Sequence, residues 1–256
     1  GARVADVETG DLDNKSPVLG VAKAELLPLQ EALARTGVLD EDEAEIVAQA
    51  ALDAADGELA KPPAVAALSR EEAAAIHAYT QESPLYHELN RHLRSRARAE
   101  LKPFFPFLRL LLTALYKLPT GADTVYRGVA KELSEAYPEG RRVVWWAFSS
   151  CTATAKVLEN PTFMGKKGER TMFTIKALFV DIRRFSAIPS EDERLLLPGY
   201  ALVVKSVLDA GAGLRIVQLE HDADAKSLLA GFQHGEPSAA KAPEPHKAVQ
   251  PAPRPA

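Results

Sequence analysis

Apolar positions recur at helical spacing in the first half of the chain and fall into short, turn-bounded runs in the second. Leu85, Leu89 and Leu93 form one apolar stripe, with Arg91, Arg94 and Arg96 on the wet side. Ser83-Pro84 starts that helix, a cap residue followed by proline at the first helical position. Upstream, Leu68-Ser69-Arg70-Glu71-Glu72 opens another helix in the capping-box pattern: Ser69 accepts from a first-turn amide and Glu72 reaches back. A third helix is predicted over 107–116. Before these, residues 1–65 are rich in Ala, Leu, Glu and Asp and almost lack aromatics. Helices are predicted there over 22–34, stopping near Gly37, and over 41–54, stopping near Gly57. From Thr124 the pattern predicts strands over 125–129, 143–148, 171–180, 195–197, 200–208 and 214–219, interrupted by one helix near 130–137. Helices first and strands later give an α+β fold, with N-terminal helices followed by a mixed or antiparallel two-sheet β core.

Three units are expected. Residues 1–65 read as a helical appendage or linker, set off by Pro62-Pro63, and 66–233 as the main domain. Residues 234–256 are rich in Pro, Ala and Lys and read as a disordered tail. Composition narrows the function. The 256 residues are 46% hydrophobic and 26% charged, as in ordinary soluble globular protein. Lys plus Arg number 31 against 35 Asp plus Glu, a net charge of −4. That leaves no basic excess to neutralise phosphates, so no nucleic-acid partner is expected. Cys151 is the one cysteine, which excludes an internal disulfide and a Cys-rich zinc site. The longest apolar run, 104–116, is too short for a membrane span and is broken by Pro106 and Arg109. The chain opens on Gly1 without a signal-peptide apolar segment and reads as a piece of a longer protein. A cytoplasmic monomer without a membrane partner is expected, secretion as an effector being the alternative.

The common chemical motifs are missing. There is no Gly-rich phosphate loop and no His-Glu-x-x-His, and the six histidines lack ligand spacing, so no metal is expected. His77, His87, His92 and His221 read as surface or packing residues, and Cys151 has no histidine partner in sequence. Three segments place polar groups where strands should be apolar. Tyr126-Arg127-Gly128 puts an arginine in a strand, costly to bury unless it meets an anion. Phe148-Ser149-Ser150-Cys151-Thr152 is a hydroxyl cluster at a strand end. Glu191-Asp192-Glu193 precedes Leu195-Leu196-Leu197-Pro198, and extended alternation would put Glu191 and Glu193 on one side.

In that order the three segments resemble the signature of the arginine-specific mono-ADP-ribosyltransferases: Arg on one strand, aromatic-x-Ser-x-Ser/Thr, then Glu-x-Glu before a Leu-rich strand. The resemblance covers roughly 68–222 and includes the helical lead-in around His77-Ala78-Tyr79-Thr80 and Tyr86-His87-Glu88-Leu89-Asn90. Glu-x-Glu is its most specific piece, because relatives that modify other acceptors carry Gln-x-Glu. Two features depart from the family: Ser-Cys-Thr replaces the common Ser-Thr-Ser, and the paired cysteines of the secreted vertebrate branch are absent.

The resemblance implies the family's two-sheet core, NAD as cosubstrate (NADP also possible) and a protein arginine acceptor. It assigns Glu193 to the ribose cation, Glu191 to the incoming guanidinium, and Ser150 to orienting Glu193 with Thr152 in support. Arg127 would grip phosphate, and Gly128 would let backbone approach nicotinamide. In the loop 159–170, Phe163 would stack on nicotinamide, and Lys166, Lys167 or Arg170 would meet pyrophosphate. Phe185 sits in the acceptor-recognition segment, with packing as its alternative. Two rival readings stay open: an NAD glycohydrolase on the same scaffold, and an inactive binding module docking through residues 1–60.

Overall fold

Alanine determines how the helices approach one another. The structure, a computed structural model, describes residues 9–10, 16–61, 68–161 and 163–225. Helix α1 is Leu29–Ala34, α2 Glu41–Leu59 and α3 Arg70–Thr80, followed by α4 Pro84–Arg94 and α5 Phe105–Lys117. α2 buries Ala44, Ala48, Ala51 and Ala55, one stripe of small side chains, and α3 buries Ala73, Ala74, Ala75 and Ala78. Both have capping boxes, Asp40 with Glu43 and Ser69 with Glu72. α4 begins at Pro84 as predicted, but Ser83 makes no side-chain cap bond.

α2 runs through Gly57 instead of stopping there. A helical glycine costs about 1 kcal/mol relative to alanine, and the packing of Ala55 and Leu59 on either side outweighs it. α1 is shorter than predicted because Pro28 stands at its N-cap and 21–23 form a separate 3-10 turn. Leu33, Ala51, Ile76, Leu89 and Leu111 share one core with Phe148, Val180 and Leu195 from the strands. Residues 29–59, read from the sequence as part of an appendage, therefore belong to the helical layer. Few aromatics signalled a linker, yet small side chains here serve close packing.

The strands are β1 Thr9–Gly10, β2 Thr120–Val129, β3 Arg142–Trp145, β4 Ser149–Thr152, β5 Arg170–Asp181, β6 Glu193–Leu196, β7 Tyr200–Gly211 and β8 Leu214–His221. Their order is β1-β3-β7-β8-β5-β2-β4-β6. Among the described strands only β5 and β8 run parallel, so the architecture is mixed α+β. β6 also bonds β5 at Val180↔Leu195 and Asp181↔Arg194, closing β5, β2, β4 and β6 on themselves. One face of this network packs on the helices. The other holds a second core of Val125, Trp145, Phe173, Ile175, Leu202 and Val217.

The helix predicted near 130–137 is a single 3-10 turn, Ser134–Ala136. Beyond that turn's own bonds, two of the segment's backbone groups are taken by β5: the Thr171 hydroxyl accepts from Leu133 N (2.9 Å) and donates to Lys131 O (2.8 Å). No described helix is long and apolar enough to cross a membrane. The tail expected to be disordered lies outside the described residues.

Candidate active site

Strand register builds the site. Tyr126 pairs with Thr152, and Thr152 with Glu193, so one row crosses β2, β4 and β6. Directly opposed side chains share a face, with Cβ atoms about 4.5–5.5 Å apart. Alternation puts Ser150 on that same face of β4. Glu193 is only 1% exposed, and β6 is bonded to β4 on one side and β5 on the other.

Glu191 is held differently. It ends the 3-10 turn Pro189–Glu191, and Asp192 follows in the left-handed region at φ 50°, ψ 46°. Glu191 and Glu193 therefore do not lie on one extended segment, as alternation had suggested; a turn separates them. Aspartate tolerates this conformation better than most residues, and ion pairs fix it. The Asp192 carboxylate accepts from Arg183 (3.0 Å) and Arg194 (3.2 Å), and Arg183 donates twice to Asp181 (3.0 and 2.7 Å). Burial pushes the Asp181 carboxyl up, but the Arg183 hydrogen bonds and the Arg194 charge outweigh it and hold it below its ordinary value.

A cleft opens beside the row, with Arg127, Ser150, Thr152, Phe163 and Glu191 among its lining residues. Arg127 lies on the Val125 and Val129 side of β2, is 6% exposed, and donates through Nη1 to Ser150 O (2.6 Å). Its Nε has no hydrogen-bond partner among the described residues. Leaving a charged donor unpaired in a buried wall is costly, so the wall fits an anionic ligand such as a dinucleotide phosphate. Arg127→Ala should weaken NAD binding by about 1.5–3 kcal/mol, or roughly ten- to hundredfold in Kd. Calorimetric titration of the folded variant checks this; an unchanged Kd would remove Arg127 from the site.

The remaining residues divide. Phe163 reaches the cleft. Gly128 also lines it, but a Cβ there would stand 2.7 Å from Met164 Cβ and 3.4 Å from Leu158 Cβ. Its bare backbone thus lets the 155–165 loop pack on β2. Lys166 pairs with Glu159 at the surface (2.8 Å), and Lys167 is exposed. Arg170 is not brought to the cleft: at the start of β5 its guanidinium donates to Gly168 O (3.0 Å) and Ala212 O (3.3 Å), bracing the turn between β7 and β8. Phe185 is 3% exposed in the helical core, with the Arg184 guanidinium over its ring. Packing is therefore its role.

Two residues went unread in the sequence. Tyr126 lines the cleft next to Arg127, and the aromatic preceding an in-strand arginine was an available signal. Asn90 is buried on the Leu89 and Leu93 side of α4. It accepts from Phe148 N (3.1 Å) and donates to Tyr79 Oη (3.0 Å), fixing the chain just before β4. A polar residue beside an apolar stripe was its signal.

Cys151 is buried on the far face of β4, and burial pushes its thiol up to about 12; nearby Arg127 opposes the shift and Glu193 adds to it. A protonated, enclosed sulfur is no nucleophile. The native protein at pH 8 should resist a thiol-labelling reagent and react stoichiometrically once unfolded. Rapid native labelling would contradict this burial.

The sequence matches the family described as NAD:arginine ADP-ribosyltransferase over residues 29–227. A GPI-linked NAD(P)(+)--arginine ADP-ribosyltransferase 1 of Mus musculus is 34% identical over 147 residues, covering 54% of this chain and 43% of that protein. The chain thus spans under half the length of that relative. Among solved structures, the type III effector XopAI of Xanthomonas axonopodis pv. citri aligns with TM-score 0.60 at 18% identity, covering 80% of this chain and 92% of that one. A mutant of the eucaryotic mono-ADP-ribosyltransferase ART2.2 in complex with NADH aligns with TM-score 0.57 at 20% identity, covering 80% and 86%. With a match spanning most of the described residues and this fold beneath the three signature segments, the chain belongs to the NAD:arginine ADP-ribosyltransferase family.

Proposed function

We propose that this protein transfers ADP-ribose from NAD to arginine side chains of protein acceptors and releases nicotinamide. The observation that carries this reading is the pair of carboxylates, Glu193 buried at the head of β6 and Glu191 on the cleft wall across one left-handed residue. Glu193 stabilises the positive charge that develops on the ribose as its bond to nicotinamide breaks. The Ser150 and Thr152 hydroxyls on the same face orient that carboxylate. Arg127 holds phosphate, and Phe163 offers a ring to nicotinamide. NADP serves as an alternative donor in this reading, in line with the mouse relative's name.

Glu191 acts on the acceptor. Guanidinium is cationic at neutral pH and a poor nucleophile. A carboxylate at the cleft mouth orients it and takes its proton as nitrogen bonds to the ribose carbon. Incubation with labelled NAD and agmatine tests the proposal. ADP-ribosylagmatine is the expected product. Free ADP-ribose alone would make the chain a glycohydrolase, and no NAD consumption would make it a binding module.

A further inference from the structure

The two glutamates are held by different layers of the fold. Glu193 begins β6, whose backbone is bonded to β4 and β5. Glu191 is reached from the end of β5 through residues 182–190, and that segment is tied to the helices. Thr80, the last residue of α3 and fully buried, accepts from Ala187 N (2.8 Å) and donates to His77 O (2.9 Å). His77 Nδ1 lies 3.1 Å from Phe185 O. Arg184 Nη2 donates to the carbonyls of Glu58 and Lys61 at the C-terminal end of α2. Glu58 O also accepts from Lys61 N (3.1 Å) in the closing turn, and the C-terminal end of a helix favours a cation. Between Arg184 and Ala187, Phe185 is buried in the helical core.

We infer that α2 and α3 set the position of the Glu191 turn through Arg184, His77 and Thr80, which are positioning residues for the acceptor step and not for NAD cleavage. The inference rests on the arginine-transfer reading for its kinetic consequence. Its structural content is independent of that reading: Ala187 is four residues from Glu191, whereas Glu193 keeps its strand bonds whatever happens to these tethers. An error of about 1 Å in a reacting group can cost a hundredfold in rate. A loosened tether thus acts on the acceptor and spares the ribose.

Thr80→Val removes the hydroxyl at nearly constant volume, Thr80→Ser keeps it, and Arg184→Gln removes the cation from the end of α2. In the full chain with NAD and agmatine, Thr80→Val and Arg184→Gln should lower the ratio of transfer to hydrolysis about tenfold or more. The effect should appear as a raised agmatine KM, with NAD KM and hydrolysis within about twofold of wild type, while Thr80→Ser behaves as wild type. Amide hydrogen exchange supplies a second readout: both tether variants should speed exchange over 187–191 and leave 193–196 protected. Wild-type enzyme that makes only free ADP-ribose would defeat the arginine reading, and the exchange pattern would still decide the anchoring. Transfer and hydrolysis falling together in folded variants, or exchange unchanged over 187–191, would overturn the inference.

Discussion

Glu193→Gln should depress nicotinamide release to water and transfer to arginine together, each by about 10²–10⁴-fold. Both routes pass through the same bond cleavage, and Glu193 is the carboxylate in line with Thr152 on that face. At 1% exposure it works where water screens little, so its charge is worth more than that of a surface acid. The amide is nearly isosteric, and the neighbouring Arg194 keeps Asp181 and Asp192 as partners, so the fold should persist. Rates from labelled NAD with and without agmatine check the prediction. A variant that loses one reaction and keeps the other would move Glu193 out of the ribose role.

Glu191→Gln should lose arginine transfer by about 10²-fold or more while still hydrolysing NAD. The water route never meets a guanidinium, so it needs no group to orient one or to take its proton. Glu191 lines the cleft while half-buried, and Asp192 with its two arginine partners holds the turn independently of the Glu191 side chain. NAD KM should stay near wild type, and the loss should appear with any guanidino acceptor. A parallel fall in hydrolysis would show that Glu191 also acts on the ribose.

Much of this was legible in the sequence because it depends on near neighbours. The Ser69 and Glu72 cap, Pro84 at a helix start and the Leu85, Leu89, Leu93 stripe all act within a turn or two, and α3 and α4 follow from them. The three polar segments mark this region because strands seldom tolerate such residues without use for them: Ser150 and Glu193 share one face, and Arg127, on the other side of β2, bonds Ser150 O. Features set by distant partners were not legible. The 130–137 segment closes only one 3-10 turn, and Thr171, some 38 residues on, takes Leu133 N and Lys131 O. Arg170 has the charge for pyrophosphate, but two carbonyls across the β7–β8 turn and its neighbour hold it. The left-handed Asp192 depends on Arg183 and Arg194 closing on it, so simple alternation misplaced Glu191 relative to Glu193.

A division of the reaction between Glu193 at the ribose and Glu191 at the acceptor can be read by counting both products, ADP-ribosylagmatine and free ADP-ribose, from one labelled NAD pool with wild type, Glu191→Gln and Glu193→Gln side by side. Wild type should give mainly ADP-ribosylagmatine, Glu191→Gln free ADP-ribose almost alone, and Glu193→Gln little of either. An unchanged product ratio in Glu191→Gln, with both products reduced equally, would contradict that division.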